Sequence, residues 1–404
     1  MIRSSIVSLA VALYVMSCAA TKPVSDLELR NKAQEYARQF ILIDTHVDLP
    51  YRLREKMENI SERTEEGNFD YPRAKQGGLN APFMSIYVPA EYETTGGAKL
   101  LADTLINMVE KLTTDWPDKF IMAYSVSDVQ KQSKTEKISF CLGMENGSPI
   151  EHDLNNLGHF YRRGIRYITL AHAKDNHISD SSYDTTHTSH GLSVFGEQVV
   201  KEMNRLGMMV DVSHVTDEAF YDVMRISRAP VIASHSSCRH FTPGWERNMS
   251  DDMIRLLAKN EGVIMINFGS SFISRQYFQR DSTVRADAKK ELEAAGLSPE
   301  DPAAHAFIAH YEKEHPIGFY ADVKDVADHI DHVVKVAGVN YVGFGSDFDG
   351  VGDSLPNGLK DVSQYPNLIF ELLKRGYSKN DIEKICGGNL LRVWSKVEQV
   401  AGRH

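Results

Sequence analysis

The sequence predicts an α/β fold, a closed (β/α)8 barrel with an insertion between its seventh and eighth strands. Three observations predict it. Eight short, β-rich apolar runs recur along the chain, helix-like stretches separate them, and run after run ends in a polar residue able to ligate a metal.

The runs are "FILIDTH" (40–46), "APFMSIYV" (81–88), "KISFCLGME" (137–145), "IRYITLAH" (165–172), "MMVDVSH" (208–214), "PVIASHS" (230–236), "GVIMINF" (262–268) and "YVGFGSD" (341–347). They are nearly continuous in apolar character rather than alternating, as parallel strands covered by helices are. Between them, "SVFGEQVVKEMNRLG" (193–207) places Val199, Val200, Met203 and Leu206 at helical spacing and stops at Gly207. "TDEAFYDVMRIS" (216–227) and "SDDMIRLLAKNEG" (250–262) each start at a Thr or Ser cap. Strand, helix, strand, repeated, means parallel pairing through right-handed crossovers, and eight such units close a barrel. The spacing is irregular twice. About fifty residues separate the second and third strands, room for one or two helices. Over seventy separate the seventh and eighth, where the polar, partly helical stretch from Ser270 to about 325 reads as an insertion over one face, a lid or a dimer surface. The tail from Leu368 reads as two or three helices on the barrel exterior.

The chain has 404 residues, 42% hydrophobic and 25% charged, a balance that supports a large core. Its formal net charge of -10 and the lack of a basic run exclude a nucleic-acid partner. Residues 1–20, "MIRSSIVSLAVALYVMSCAA", carry Arg3, an apolar run and small residues, the pattern of a secretory signal. Its end, "VMSC", resembles a bacterial lipobox, so Cys18 is the expected lipidation site of an exported, membrane-anchored lipoprotein of the cell envelope. Residues 21–404 are then one barrel domain. Cys141, Cys238 and Cys386 are too far apart for a disulfide framework or a structural zinc site and are expected to be buried apolar residues.

In a parallel barrel all C-terminal strand ends meet at one mouth, where barrel enzymes place their chemistry. The first run ends in His46 and Asp48, the third in Glu145, the fourth in His172, the fifth in His214, the sixth in His235 and the eighth in Asp347 and Asp349. Residues i and i+2 share a strand face, so His46 and Asp48 can serve one ion together. The candidate ligand set is His46, Asp48, Glu145, His214 and His235. Nitrogen and oxygen donors without thiolates suit zinc, and could admit manganese or cobalt. Five donors are one too many for a single tetrahedral ion and suit two metals bridged by a carboxylate. Glu145 is the expected bridge, with His46 and Asp48 on one ion and His214 and His235 on the other. Asp44, one step deeper, is expected to orient a ligand or close a core hydrogen bond.

The motifs "DTHVDLP", "GMENG", "LAHAKDN", "GLSVFGEQVVKEMNRLGMMVDVSHV", "ASHSS", "RNMSDD" and "GSDFDG" resemble, in order, those of the membrane (renal-type) dipeptidases, metallopeptidase family M19. The resemblance runs from about Asp44 to "GGNLLRV" at 387–393. It implies a barrel of the metal-dependent hydrolase type with two Zn2+ ions, hydrolysis of dipeptides by a metal-bridging hydroxide, and a homodimer. The family's ligands carry over onto the same five residues. His172 matches the histidine that polarises substrate or intermediate, Arg247 the arginine near the substrate carboxylate, and Asp347 the catalytic acid/base. The stretch between His235 and Arg247 departs in detail from the family pattern. Two rival readings stand beside this one. The first is another amide or ester hydrolase on the same barrel, an N-acyl amino acid deacylase or lactonase. Many such relatives carry His-x-His on the first strand and a modified lysine bridge, whereas this chain has His-x-Asp and a glutamate. The second rival is a non-catalytic surface binding protein.

Overall fold

The computed structural model describes residues 24–297 and 303–402; Cys18 and the leader lie outside them. Among the described residues there are nine strands: β1 (Leu42–Val47), β2 (Leu79–Tyr87), β3 (Phe120–Met122), β4 (Ile138–Glu145), β5 (Ile165–Thr169), β6 (Met209–Asp211), β7 (Ile232–Ser236), β8 (Val263–Ile266) and β9 (Val342–Phe344). All pairings between them are parallel, in the order β2-β1-β9-β8-β7-β6-β5-β4, and β2 also pairs with β4. That last pairing closes an eight-stranded barrel, and its strands are the eight expected from the sequence. The strand missed is β3, whose three residues pair only with Ile138–Phe140 of β4. So short a run carries no periodicity to read.

The helices between strands follow their caps. Ser193, Thr216 and Ser250 accept hydrogen bonds from the first turns of Val194–Leu206, Asp217–Ile226 and Asp251–Lys259, and Gly207 ends the first of these in left-handed backbone. No described helix is long and apolar enough to cross a membrane. Cys141, Cys238 and Cys386 are buried free thiols, as expected.

Side chains pointing into the barrel floor, among them Ile43, Phe83, Tyr167, Met209 and Met265, pack with Leu390, Val393 and Trp394 of the C-terminal helix Asn389–Ala401. This helix plugs the lower end, with Trp394 edge-on to Phe83 at 5.4 Å. Burial of these large side chains, each contributing roughly 1.5–3 kcal/mol, leaves only the opposite mouth open. The insertion adds helices Arg275–Ala294 and Ala304–Glu314 beside that mouth.

Gly143 of β4 has a specific packing role. A Cβ there would overlap the ring of Tyr167 on β5, so the glycine makes room for a full tyrosine inside the barrel. Gly143→Ala is expected to destabilise the fold by about 1–3 kcal/mol through overpacking. Thermal denaturation measures this, and an unchanged Tm would contradict the packing.

Candidate metal centre and active site

The loops after the strands carry polar residues in strained backbone. Asn146, His214, Asp347 and Asp349 have φ of 76°, 70°, 65° and 66°. Asn, Asp and His tolerate this left-handed region better than most side chains, and such strain persists where surrounding structure over-determines it. Here it follows the ends of β4, β6 and β9, where the chain must turn sharply at the mouth.

Glu145, the last residue of β4, is the centre of the site. Its Oε2 lies 3.3 Å from His46 Nε2. Its Oε1 lies 3.2 Å from the Nε2 atoms of both His214 and His235, and 3.5 Å from that of His172. Asp48 Oδ2 is 3.5 Å from His46 Nε2. Asp347 joins His46 and Asp48 in a group whose donor atoms lie within 4.8 Å of one another. The structure thus brings together His46, Asp48, Glu145, His172, His214, His235 and Asp347. Asp48 lies just past the strand end. β1 ends at Val47 after a shift of register against β2 between Asp44 and Val47, and Asp48 caps the helix Leu49–Glu55 in non-extended backbone.

Two hydrogen-bond relays decide which imidazole nitrogens carry protons. Tyr167 donates its hydroxyl proton to Thr45 O at 2.9 Å, so the contact between its oxygen and His46 Nδ1, also 2.9 Å, requires Nδ1–H as donor. Ser234 Oγ donates to Asp211 Oδ2 at 2.6 Å, so its 2.7 Å contact with His235 requires His235 Nδ1–H as donor. In the neutral ring the other nitrogen, Nε2, then bears a lone pair. Asp211 is itself fixed by Ser213 N and Ser234 N.

The charges agree. Burial, then the positive charges of Arg247 and neighbouring imidazoles, holds His214 and His235 well below the usual histidine range, neutral as ligands must be. Burial opposes a charge on His46 too, but Tyr167, Glu145 and Asp48 outweigh it and raise its pKa well above normal, so a proton is drawn there when no other cation is present. Burial would also raise Glu145, yet the charges of His46 and His172, with the imidazoles of His214 and His235 beside it, keep it well below the usual range. Burial first, then the charge of Asp48, pushes Asp347 up to about 7.

These residues fit a metal centre. His46 Nε2 is buried without a hydrogen-bond partner among the described residues. The Nε2 atoms of His214 and His235 are 2.8 Å apart, too close for two lone pairs unless a cation or proton lies between or beside them. A tetrahedral ion with ligands at about 2.05 Å has donor–donor edges of roughly 3.3 Å, which is the spacing around Glu145.

Arg247 lies just behind the mouth. It is 2% exposed, and its Nη1 and Nη2 donate to Ser236 Oγ and His235 O, each at 2.8 Å. Its guanidinium lies 5.1 Å from the Phe272 ring, beneath the cavity wall rather than on it. The cavity itself is about 1220 Å³ and is bounded by Asp48, Glu145, His172, His214 and Asp347 on the barrel side and by the insertion on the other.

Sequence reading missed Tyr167, Asp211, Ser234 and Asn267, whose Nδ2 donates to Asp347 Oδ2 at 2.7 Å. Asp211 offered a signal, a carboxylate inside an apolar strand three residues before His214. Asp44 offered the same signal: fully buried, it accepts from His46 N, Ser346 N and the Tyr365 hydroxyl, tying β1 to the segment before Asp347. Tyr167 offered none, since it reads as an ordinary strand residue.

The family model for membrane dipeptidase, peptidase family M19, matches residues 30–404. Dipeptidase 3 of Mus musculus is 32% identical over 385 residues, 93% of this chain and 68% of the mouse protein. The crystal structure of the probable dipeptidase PvdM from Pseudomonas aeruginosa superposes with a TM-score of 0.79 at 25% identity, covering 93% of this chain and 100% of that one. A metallopeptidase from Rhodobacter sphaeroides, liganded with a phosphinate mimic of L-Ala-D-Ala, shares the fold with a TM-score of 0.71 at 24% identity, over 89% of this chain and 99% of that one.

Asp347 has a consequence for stability. In protein stripped of metal its folded pKa of about 7 lies above the roughly 3.9 of an unfolded aspartate. The folded state then holds a proton that the unfolded state releases, so stability falls as pH rises through that window. In metal-free protein Asp347→Asn is expected to gain stability relative to wild type as pH rises from about 5.5 to about 7.5, because the destabilising contribution of Asp347 is removed. Equal pH dependence in the two proteins would contradict the assignment.

Proposed function

The chain belongs to the membrane dipeptidase family, peptidase family M19, and is a metallopeptidase; from that premise we propose that it hydrolyses the peptide bond of free dipeptides with two Zn2+ ions held on either side of Glu145. The observation that carries the reading is the set of donors at coordination spacing around one carboxylate, two of them with their lone pairs dictated from behind. His46 and Asp48 would hold one ion, His214 and His235 the other, and Glu145 both. When bound, the ions would supply an activated water near neutral pH and positive charge for the carbonyl oxygen.

The chain's own groups do the rest. Asp347 faces the cavity with one oxygen held by Asn267 and a pKa near neutrality, so it can take up a proton and return it to the leaving amine. His172, at the cavity wall with Tyr87 edge-on at 4.8 Å, is positioned to donate to the oxygen that gains charge. Arg247, buried behind Tyr183 and Phe272, adds positive charge beneath the place a substrate carboxylate would occupy. Export, lipid attachment at Cys18 and a homodimer complete the proposal; they rest on the leader sequence and the family resemblance.

A steady-state panel of L,L and L,D dipeptides and N-acyl amino acids, with and without chelator, tests the reading. Dipeptide turnover abolished by chelator is expected, while turnover of N-acyl amino acids alone would favour the deacylase instead. Asp347→Asn is expected to retain its metal and lose about 10²–10⁴-fold in kcat; full activity would remove Asp347 from the mechanism.

A further inference from the structure

After β9 the chain turns through Asp347, Phe348 and Asp349 to Gly350 at the cavity wall. Gly350 has no side chain, and the space one would need is already filled. A Cβ there would overlap two carboxylate oxygens, Oδ2 of Asp48 and Oδ1 of Asp347. The first is the oxygen that faces His46 Nε2 at 3.5 Å. The second is the oxygen of Asp347 that Asn267 leaves free, since Asn267 holds Oδ2. Both groups thus rest against bare backbone.

If a methyl group is added here something must yield, and the hydrogen bonds decide what. The turn is pinned. Asp347 N donates to His46 O at 3.1 Å, Asp48 N to Phe348 O at 2.8 Å and Gly350 N to Asp347 O at 3.1 Å. Asp349 is fixed from outside: its N donates to Asn68 Oδ1 at 2.8 Å, its Oδ1 accepts from Asn68 N, and Arg52 Nε lies 3.3 Å from its Oδ2. Beyond Gly350, Val351 packs against the core. The backbone of Gly350 lies outside the left-handed region, so alanine meets no conformational strain of its own. Asp347 is anchored by Asn267. Asp48 is the least restrained. It opens the helix Leu49–Glu55, yet its side chain makes no capping hydrogen bond, and among the described residues its one charged partner is His46. The overlap is therefore relieved by rotating the Asp48 carboxylate away from His46, at little cost to the fold.

We propose that Gly350 is a positioning residue for Asp48, and that its bare Cα decides whether the ion site of His46, Asp48 and Glu145 is filled. None of the atoms nearest the added Cβ belongs to His214 or His235, so the other ion site is left intact. This rests on the two-ion reading above. The test measures zinc content of wild type, Gly350→Ala, Asp48→Ala and the double variant after dialysis against buffered free zinc, with melting of the metal-free proteins alongside. Wild type is expected to hold two ions per chain and Gly350→Ala one, its affinity for the second lowered about 10–100-fold, the scale of lost support behind a ligand. Asp48→Ala should also hold one, and adding Gly350→Ala to it should remove no more, because both changes act on one ligand. Metal-free Gly350→Ala should melt close to wild type. Two ions at unchanged affinity in Gly350→Ala overturn the proposal alone, as does a further loss in the double variant. A Gly350→Ala protein that fails to fold overturns it too, because the clash then falls on the backbone rather than on Asp48. Wild type holding fewer than two ions overturns the two-ion reading and this proposal with it.

Discussion

A buried carboxylate faced by four imidazole nitrogens is the constraint on which the site depends. Glu145 is only 4% exposed, so its stabilisation comes chiefly from the groups around it. Two of those groups, His46 and His235, are obliged by Tyr167 and by Ser234 to turn lone pairs rather than protons toward it. Lone pairs and an anion packed at about 3.3 Å repel one another unless a cation joins them. Without one, the nearest substitute is a proton, and the rise of the His46 pKa expresses that demand.

The barrel is built to hold this arrangement. Gly143 admits the Tyr167 ring, and Tyr167 fixes His46 across the barrel interior. Asp211 at the end of β6 fixes Ser234 on β7, and Ser234 fixes His235. Asp44 ties β1 to Ser346, one residue before Asp347. Three residues deep in the strands thus set the position and proton state of groups at the mouth, and support of this kind commonly changes metal affinity about 10–100-fold. The strained backbone of His214 and Asp347 is tolerated because the strands behind them leave no alternative path.

Much of this was legible in the sequence. Long apolar runs located all eight barrel strands, because burial on both faces erases alternation and leaves an uninterrupted signal. The metal-competent residues were legible because a parallel barrel gathers strand ends at one face, whatever their separation along the chain. What sequence could not give was the third dimension of the second layer. Tyr167 looks like any aromatic strand residue until Gly143 is seen to make room for it. Arg247 was expected near the substrate carboxylate, and its burial beside Phe272 and the loop after β7 is encoded in no local pattern. The three-residue β3 was too short to register, and the shift of β1 before Val47 hid how Asp48 reaches the site.

The insertion lies outside this inner logic and gives the cavity its far side. It joins the barrel through the stacking of Phe278 on Trp245, and Asp281, Arg285, Glu312 and Lys313 face the opening. The central claim is that Glu145 bridges two ions, and anomalous diffraction from zinc-loaded crystals at the zinc edge tests it most directly. Two peaks are expected, one between His46, Asp48 and Glu145 and the other between Glu145, His214 and His235. A single peak, or none near Glu145, would contradict a carboxylate-bridged pair.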